Sequence, residues 1–416
     1  MAEKQFSAVE ICAGAGGQSL GLERAGFAHD LAVEIDVNAA ATLQHNRPHW
    51  KVAIGDVADS DVWNPEDFHG IDLLAGGVPC PPFSIAGKQR GATDERDLFA
   101  WAVDRVGVME PKALLLENVR GLSTPRFSGY RQHVLDVLSE LGYIAEWTLL
   151  QASDFGLAQL RPRFVLVALK PETAPYFHWP EPLGPAPTVG EALYPQMAAN
   201  GWSGAEAWSK RASGVGPTIV GGSKKHGGAD LGPTRAKRAW AELGVDGMGV
   251  ANEPPNEDTP YDHRPKLTVP MVATLQGWDV PNDWEFTGKK TSAYRQVGNA
   301  FPPPVAEAVG RSIMRALKQE GEPRDLNVDA ALHDPVLRVL KSESDFLPLA
   351  AIAEKSEIGS EAAAKKHLDR LMNDFVIEVS GSVRRPTFKL VEFKAFVGQE
   401  GHSRHEVFEQ MRSRIS

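Results

Sequence analysis

Cysteine is nearly absent from this chain: 416 residues contain two, Cys12 and Cys80. Two thiols cannot build a disulfide framework, and a four-ligand zinc site would need histidine for most of its ligands. Sulfur chemistry here is that of a thiol or thiolate, and no metal site is expected. Long apolar runs are missing too. None reaches the ~20 residues that span a bilayer, and "MAEKQFSAVE" lacks the features of a signal peptide, so a soluble, cytoplasmic protein with no membrane partner is expected. Nor is there an excess of basic charge, because 44 Lys and Arg face 54 Asp and Glu for a net charge of −10. A protein coated in positive charge is excluded. A nucleic-acid partner is not, since a binding field can be concentrated on one face. The length exceeds one ordinary core and points to two or three domains.

What is present begins as alternating strand and helix. "SAVEICAGAGG" reads as an apolar strand entering a glycine turn, and "SLGLERAGF" as the helix after it. "DLAVEID", "IDLLAGG", "KALLLENV" and "RFVLVAL" are further strand candidates, with "NAAATLQHN" and "DLFAWAVDRVGVM" as helices. Such alternation predicts a mostly parallel sheet covered on both faces, with ligands beyond the carboxyl ends of its strands. Composition changes near residue 171 to a proline-rich connector, and from 200 to 262 there is little periodicity. Patterned sequence returns at "RPKLTVPMVATLQGW" and closes on the amphipathic "PPPVAEAVGRSIMRAL". Beyond a charged linker, three helical patterns and two short strands make a winged-helix plan, whose bland alternative is a helical cap or dimerisation module.

Several stretches carry chemistry. Gly14, Gly16 and Gly17 follow a strand and open a helix, where backbone can approach a nucleotide-like ligand. Glu34, twenty residues past Gly14, ends the second strand and suits ribose hydroxyls, and Asp56 in "AIGDV" suits an adenine amino group. This spacing does not separate a dinucleotide from S-adenosylmethionine. Cys80 stands between prolines in "GGVPCPPFS". A lone cysteine is commonly a small core residue, but a Pro-Cys-Pro loop is poor core material and presents the sulfur along one line. Glu117 and Asn118 end an apolar strand, in a partly dry setting that raises a carboxyl pKa; such an acid can donate to a ring nitrogen. Arg161 and Arg163, two residues apart on an extended segment, point to one side and suit phosphate or a base edge, with surface charge as the plain alternative.

Together these residues resemble the C5-cytosine DNA methyltransferase family. "AVEICAGAGG" is similar to its first cofactor motif, "GGVPCPPFS" to its nucleophile motif, "ENV" to its glutamate motif and "QLRPR" to its arginine motif. "RPKLTVPMVATLQGW" and "AYRQVGNAFPPPVA" resemble the two closing motifs, and all six stand in family order over residues 6 to 170 and 264 to 316. The resemblance implies a Rossmann-like α/β fold with a mostly parallel sheet, and S-adenosyl-L-methionine as methyl donor, leaving S-adenosyl-L-homocysteine. It implies that Cys80 attacks C6 of a cytosine flipped from double-stranded DNA, that Glu117 contacts N3, and that Arg161 and Arg163 steady the base and cysteine loop. By the same route Cys12, Ala13, Ile35, Val57, Pro79, Leu98, Asn299 and Ala300 join the glycines, Glu34 and Asp56 as cofactor residues. Phe83, Ser84, Gln89 and Asn118 would lie by the flipped base.

Three positions depart from the family pattern: Cys12 replaces an aromatic that packs on adenine, Ile35 stands where an aromatic is common, and Pro81 replaces a frequent glutamine. Between the arginine motif and "RPKLTV" the family carries its target-recognition domain. Here residues 210 to 240 hold seven Lys or Arg and one Asp, a local phosphate-binding field. Thr218 belongs to a Thr-Ile pair resembling a Thr-Leu pair of these domains. Lys224, Lys225, Arg235, Lys237 and Arg238 are candidate DNA contacts, each also readable as solvated loop. The expected organisation is a catalytic domain at 1–180, a small irregular recognition domain at 181–285, a closing segment at 286–322 and a winged-helix-like module at 328–416. The expected activity is that of a bacterial, nucleoid-associated, monomeric DNA (cytosine-5-)-methyltransferase paired functionally with a restriction endonuclease. The alternatives are the tRNA-modifying branch of the superfamily, or a DNA-binding regulator acting through the tail.

Overall fold

The computed structural model describes residues 5–78, 98–221, 229–280, 282–326, 334–372, 374–382 and 385–393, with the Arg126 side chain excepted. The first half alternates as the sequence pattern requires: β1 (Ser7–Ile11), α1 (Gly17–Arg24), β2 (Ala28–Glu34), α2 (Val37–Asn46), β3 (Val52–Ile54), β4 (Leu73–Gly76), α3 (Leu98–Met109), β5 (Ala113–Val119), α4 (Ser128–Glu140), β6 (Ile144–Gln151) and β7 (Pro162–Leu169). The strands form one seven-stranded sheet in the order β3-β2-β1-β4-β5-β7-β6. The β1–β2, β2–β3, β1–β4 and β4–β5 pairs are all parallel. Six of the seven residues of β5 are buried, the continuous apolar run expected of a strand covered on both faces.

Register aligns the strand ends. Ile11 pairs with both Val33 and Gly76, and Gly76 pairs with Leu116. The next residue on each strand is Cys12, Glu34, Gly77 and Glu117, so four residues with distinct chemistry emerge in one row. The chain order reverses between β1 and β4, which opens a crevice at this carboxyl edge.

The chain divides into two compact units, one made of residues 1–78, 108–118 and 147–324, the other of 79–107, 119–146 and 325–416. In the first, α5 (Val189–Ala198), α6 (Ala205–Arg211), α7 (Thr234–Glu242), α8 (Val269–Leu275), α9 (Lys290–Asn299) and α10 (Pro303–Leu317) follow the sheet. Caps start them where expected: Thr188 and Glu191 cap α5 reciprocally, and Thr268 accepts from the Met271 amide to start α8. The segment without periodicity is not empty of core. Trp202, Trp208, Ile219, Leu231 and Trp240 are buried in one apolar cluster with Leu20, Leu43, Trp278 and Trp284.

The second unit holds α4 together with α11 (Pro335–Ser342), β8 (Leu347–Pro348), α12 (Leu349–Lys355), α13 (Glu361–Leu371), β9 (Phe375–Ser382) and β10 (Arg385–Phe393). The strands form a second sheet in the order β8-β10-β9. β8 is two residues long, too short to leave a pattern, and was not anticipated. Asp334 caps α11 through the Val336 and Leu337 amides and faces His367 Nδ1 at 3.0 Å. Gly129 of α4 is glycine because a methyl there would lie 2.8 Å from Leu371 and 3.0 Å from Phe375. His133 stacks on Phe393 at 3.7 Å, and this burial lowers its pKa to about 4. No helix among the described residues is long and apolar enough to cross a membrane.

Candidate active site at the carboxyl ends of the strands

The turn after β1 is shaped by its glycines for different reasons. Cys12 and Gly14 both have positive φ, 52° and 58°. A methyl on Gly14 would meet nothing within 4 Å, so its backbone faces open space. A methyl on Gly16 would lie 2.6 Å from Trp284 and 2.7 Å from Leu43, and one on Gly17 would lie 2.3 Å from the Phe301 carbonyl. Gly16 and Gly17 let α1 pack closely against Leu43, Trp284, Ala300 and Phe301, a demand separate from any ligand approach. Ala13 is buried, and its amide donates to the Val33 carbonyl.

Glu34 fixes this turn. Its Oε2 accepts from the Gly14 amide and its Oε1 from the Asp36 amide, both at 2.7 Å. Ile35 beside it is 47% exposed, an unusual place for an isoleucine. Asp56 lies two residues past β3 and accepts from the Ala58 amide at 2.9 Å. Val57 is buried and its carbonyl accepts from Trp63 Nε1. Leu98 is buried at the start of α3 in the second unit.

Glu117 and Arg163 form a buried ion pair, with Nε 2.6 Å from Oε1. Burial pushes the Glu117 carboxyl above its ordinary range, while the charges of Arg163 and Arg161 pull it back. Asn118 also has a structural contact. Its Nδ2 donates to the Val78 carbonyl at 3.0 Å, tying the end of β5 to the residue that precedes Pro79 and Cys80 in the chain. Pro79, Cys80, Phe83, Ser84 and Gln89 lie outside the described residues, as do Lys224 and Lys225.

Arg161 is 1% exposed, which removes the surface-charge reading. It does not present its guanidinium to a phosphate. Nη1 donates to the Ile219 carbonyl, and Nη2 donates at 2.8 Å to the carbonyls of Gly298 and Ala300. Burial lowers its pKa. Around it, Ile219 N donates to Gln159 Oε1, Gln159 Nε2 donates to Leu275 O and Gln276 Oε1, and Gln276 Nε2 donates to Val297 O. Thr218 Oγ1 donates to the Leu160 carbonyl. Sequence reasoning missed Gln159 and Gln276, although both stand inside quoted motifs; an amide flanked by motif residues was the available signal. Asn299 is exposed at the end of α9, and a methyl on Gly221 would strike its Oδ1 at 2.1 Å. Arg235 and Arg238 are exposed and three residues apart on α7, hence on one face. Lys237 is paired with Asp230 at 2.8 Å and so is engaged within the protein.

The fold is that of methyltransferases built on a mostly parallel sheet. A solved structure of a Spodoptera frugiperda DNMT2 mutant superposes with a TM-score of 0.53 over 74% of this chain and 99% of that one, at 14% identity. In sequence the chain is 61% identical to the type II methyltransferase M.NaeI of Lentzea aerocolonigenes over 414 residues, covering 99% of this chain and 100% of the relative. It is 51% identical to type II methyltransferase M.NgoMIV of Neisseria gonorrhoeae over 320 residues, covering 76% of this chain and 99% of that protein. Residues 6–315 match the C-5 cytosine-specific DNA methylase family, and the chain belongs to it.

Proposed function

We propose that this enzyme methylates C5 of a flipped cytosine within a specific sequence of double-stranded DNA, protecting host DNA beside a functionally paired type II restriction endonuclease. The observation that carries this reading is the end of β5, where a buried Glu117 with a raised pKa adjoins Asn118, the anchor of Val78 just before Cys80. Cys80 Sγ adds to C6 while the Glu117 proton passes to N3, which makes C5 nucleophilic. After methylation, loss of the C5 proton expels the Cys80 thiolate, and return of the N3 proton to Glu117 restores both the ring and the acid. Arg163 holds Glu117 Oε1, leaving Oε2 for the base. Arg161 acts as a positioning residue, fixing the segment at Ile219 against Gly298 and Ala300.

S-adenosyl-L-methionine supplies an electrophilic methyl group when bound, and the residues present fit it. Gly14 offers open backbone, Glu34 a carboxyl acceptor at the ribose position, Asp56 an acceptor for the adenine amino group, and Ile35 an exposed apolar wall. Arg235 and Arg238 supply phosphate or guanine contacts. The second unit's order of α11, β8, α12, α13, β9 and β10 supports a winged-helix-like module. M.NgoMIV, matched over 99% of its length by 320 residues, leaves about a quarter of this chain without a counterpart. Monomeric action and a nucleoid location complete the reading.

The test is bisulfite sequencing of plasmid and of tRNA after expression in a methylation-free host. Methylated cytosine at one recurring plasmid site is expected, absent with Cys80→Ser. Methylation retained by Cys80→Ser would sink the mechanism, and methylation confined to tRNA would sink the substrate.

A further inference from the structure

Gln18 is the second residue of α1, in the first turn after the glycines. It is 3% exposed, and among the described residues neither its Oε1 nor its Nε2 has a hydrogen-bond partner. A buried, unsatisfied carboxamide is costly, and proteins rarely retain one without use. Its surroundings show what the use is. A methyl group built on Gly77 would lie 3.9 Å from Gln18 Oε1, 3.4 Å from Glu117 Oε2 and 4.0 Å from the Cys12 carbonyl. The amide and the carboxyl thus face one small space above Gly77, which stays open because residue 77 has no side chain. Glu117 brings Oε2 to it, since Oε1 is held by Arg163.

We propose that Gln18 is a positioning residue for Glu117, and that its carboxamide is the hydrogen-bond partner of Oε2 through the proton cycle. A carboxamide suits this because it has both an acceptor and donors on one planar group. Its oxygen accepts from the Oε2 hydroxyl before the base arrives, the proton turns to the ring nitrogen when the base is in place, and the NH2 then donates to the carboxylate left behind. The proposal rests on the role given to Glu117 above. The charged groups acting on Glu117 are Arg163 at Oε1 and Arg161 behind it. Cys12 turns its carbonyl toward the shared space, and Gln18 and Gly77 add no charge.

The experiment compares kcat against pH for the wild-type chain and Gln18→Glu, with cofactor affinity and thermal stability measured alongside. Gln18→Glu places a second carboxylate beside Oε2, which raises the Glu117 pKa. The alkaline limb of the profile should move to higher pH, and kcat should fall on the order of tenfold at the wild-type optimum. A folded Gln18→Glu enzyme with the wild-type limb would overturn the proposal, because residue 18 would then not reach Oε2. Should that variant fail to fold, the wild-type protein decides. The Gln18 side-chain amide NMR signals should titrate with the Glu117 carboxyl and stop doing so in Glu117→Gln. Signals that ignore Glu117 would also refute it. This readout needs no turnover, so its failure is separable from failure of the methylation reading, which shows in the wild-type bisulfite assay.

Discussion

The row of strand ends and the stretch from 200 to 262 sit in the same unit and are built on opposite principles. The row is positioned by repetition: parallel pairing puts Ile11, Val33, Gly76 and Leu116 in register, and Cys12, Glu34, Gly77 and Glu117 follow. The later stretch has almost no repetition. It is held by single events, such as Trp208 Nε1 donating to the Gly244 carbonyl or Arg161 reaching Ile219. Periodic burial therefore fixes where reactive groups stand, while isolated contacts fix a segment whose surface has to vary.

Breaking each side should give different symptoms. The largest effect is expected from Glu117→Gln, which removes the proton donor and should lower kcat by about 10² to 10⁴ while leaving the urea midpoint near that of the parent. Its sign with pH follows from the raised pKa: the wild type needs the protonated carboxyl, so activity falls as pH rises through that value, and the variant should lose this limb. Arg161→Met attacks the other principle. It leaves the carbonyls of Ile219, Gly298 and Ala300 without their donor, and should cost about 3 kcal/mol in a chemical unfolding curve. A variant of unchanged stability would show that the clamp is redundant. Arg238→Ala should do least. An exposed residue that contacts phosphate is expected to reduce the slope of log K against log salt by about 1, with stability untouched; an unchanged slope would remove α7 from the DNA surface.

Legibility follows the same division. The strands of the first half were readable because apolar runs such as "ALLLENV" are covered on both faces, and the glutamate ending that run was readable because a carboxylate rarely follows such residues without purpose. The jobs of Gly16 and Gly17 were not readable. Their neighbours Trp284 and Phe301 lie more than 250 residues away in sequence, and no local pattern reports them. The Lys237 pairing was not readable for a similar reason, since nothing in a basic run reports that Asp230 stands beside it. Gln18 was passed over because an amide in a helix has no expected partner; only its burial makes it unusual.

The Arg161 clamp also has a consequence in time. Its acceptors Gly298 and Ala300 lie 137 and 139 residues downstream. At roughly 5–20 residues per second of synthesis, the ribosome takes about 7 to 28 s to make them after Arg161. For that interval the nascent chain carries a cation destined for the interior with two of its three carbonyl acceptors unmade, Ile219 alone being made earlier. The sheet can begin to assemble early, but its carboxyl edge can close only when translation is three-quarters complete. During biosynthesis, that edge is where premature collapse would bury an unpaired charge, and where a chaperone would have most to guard.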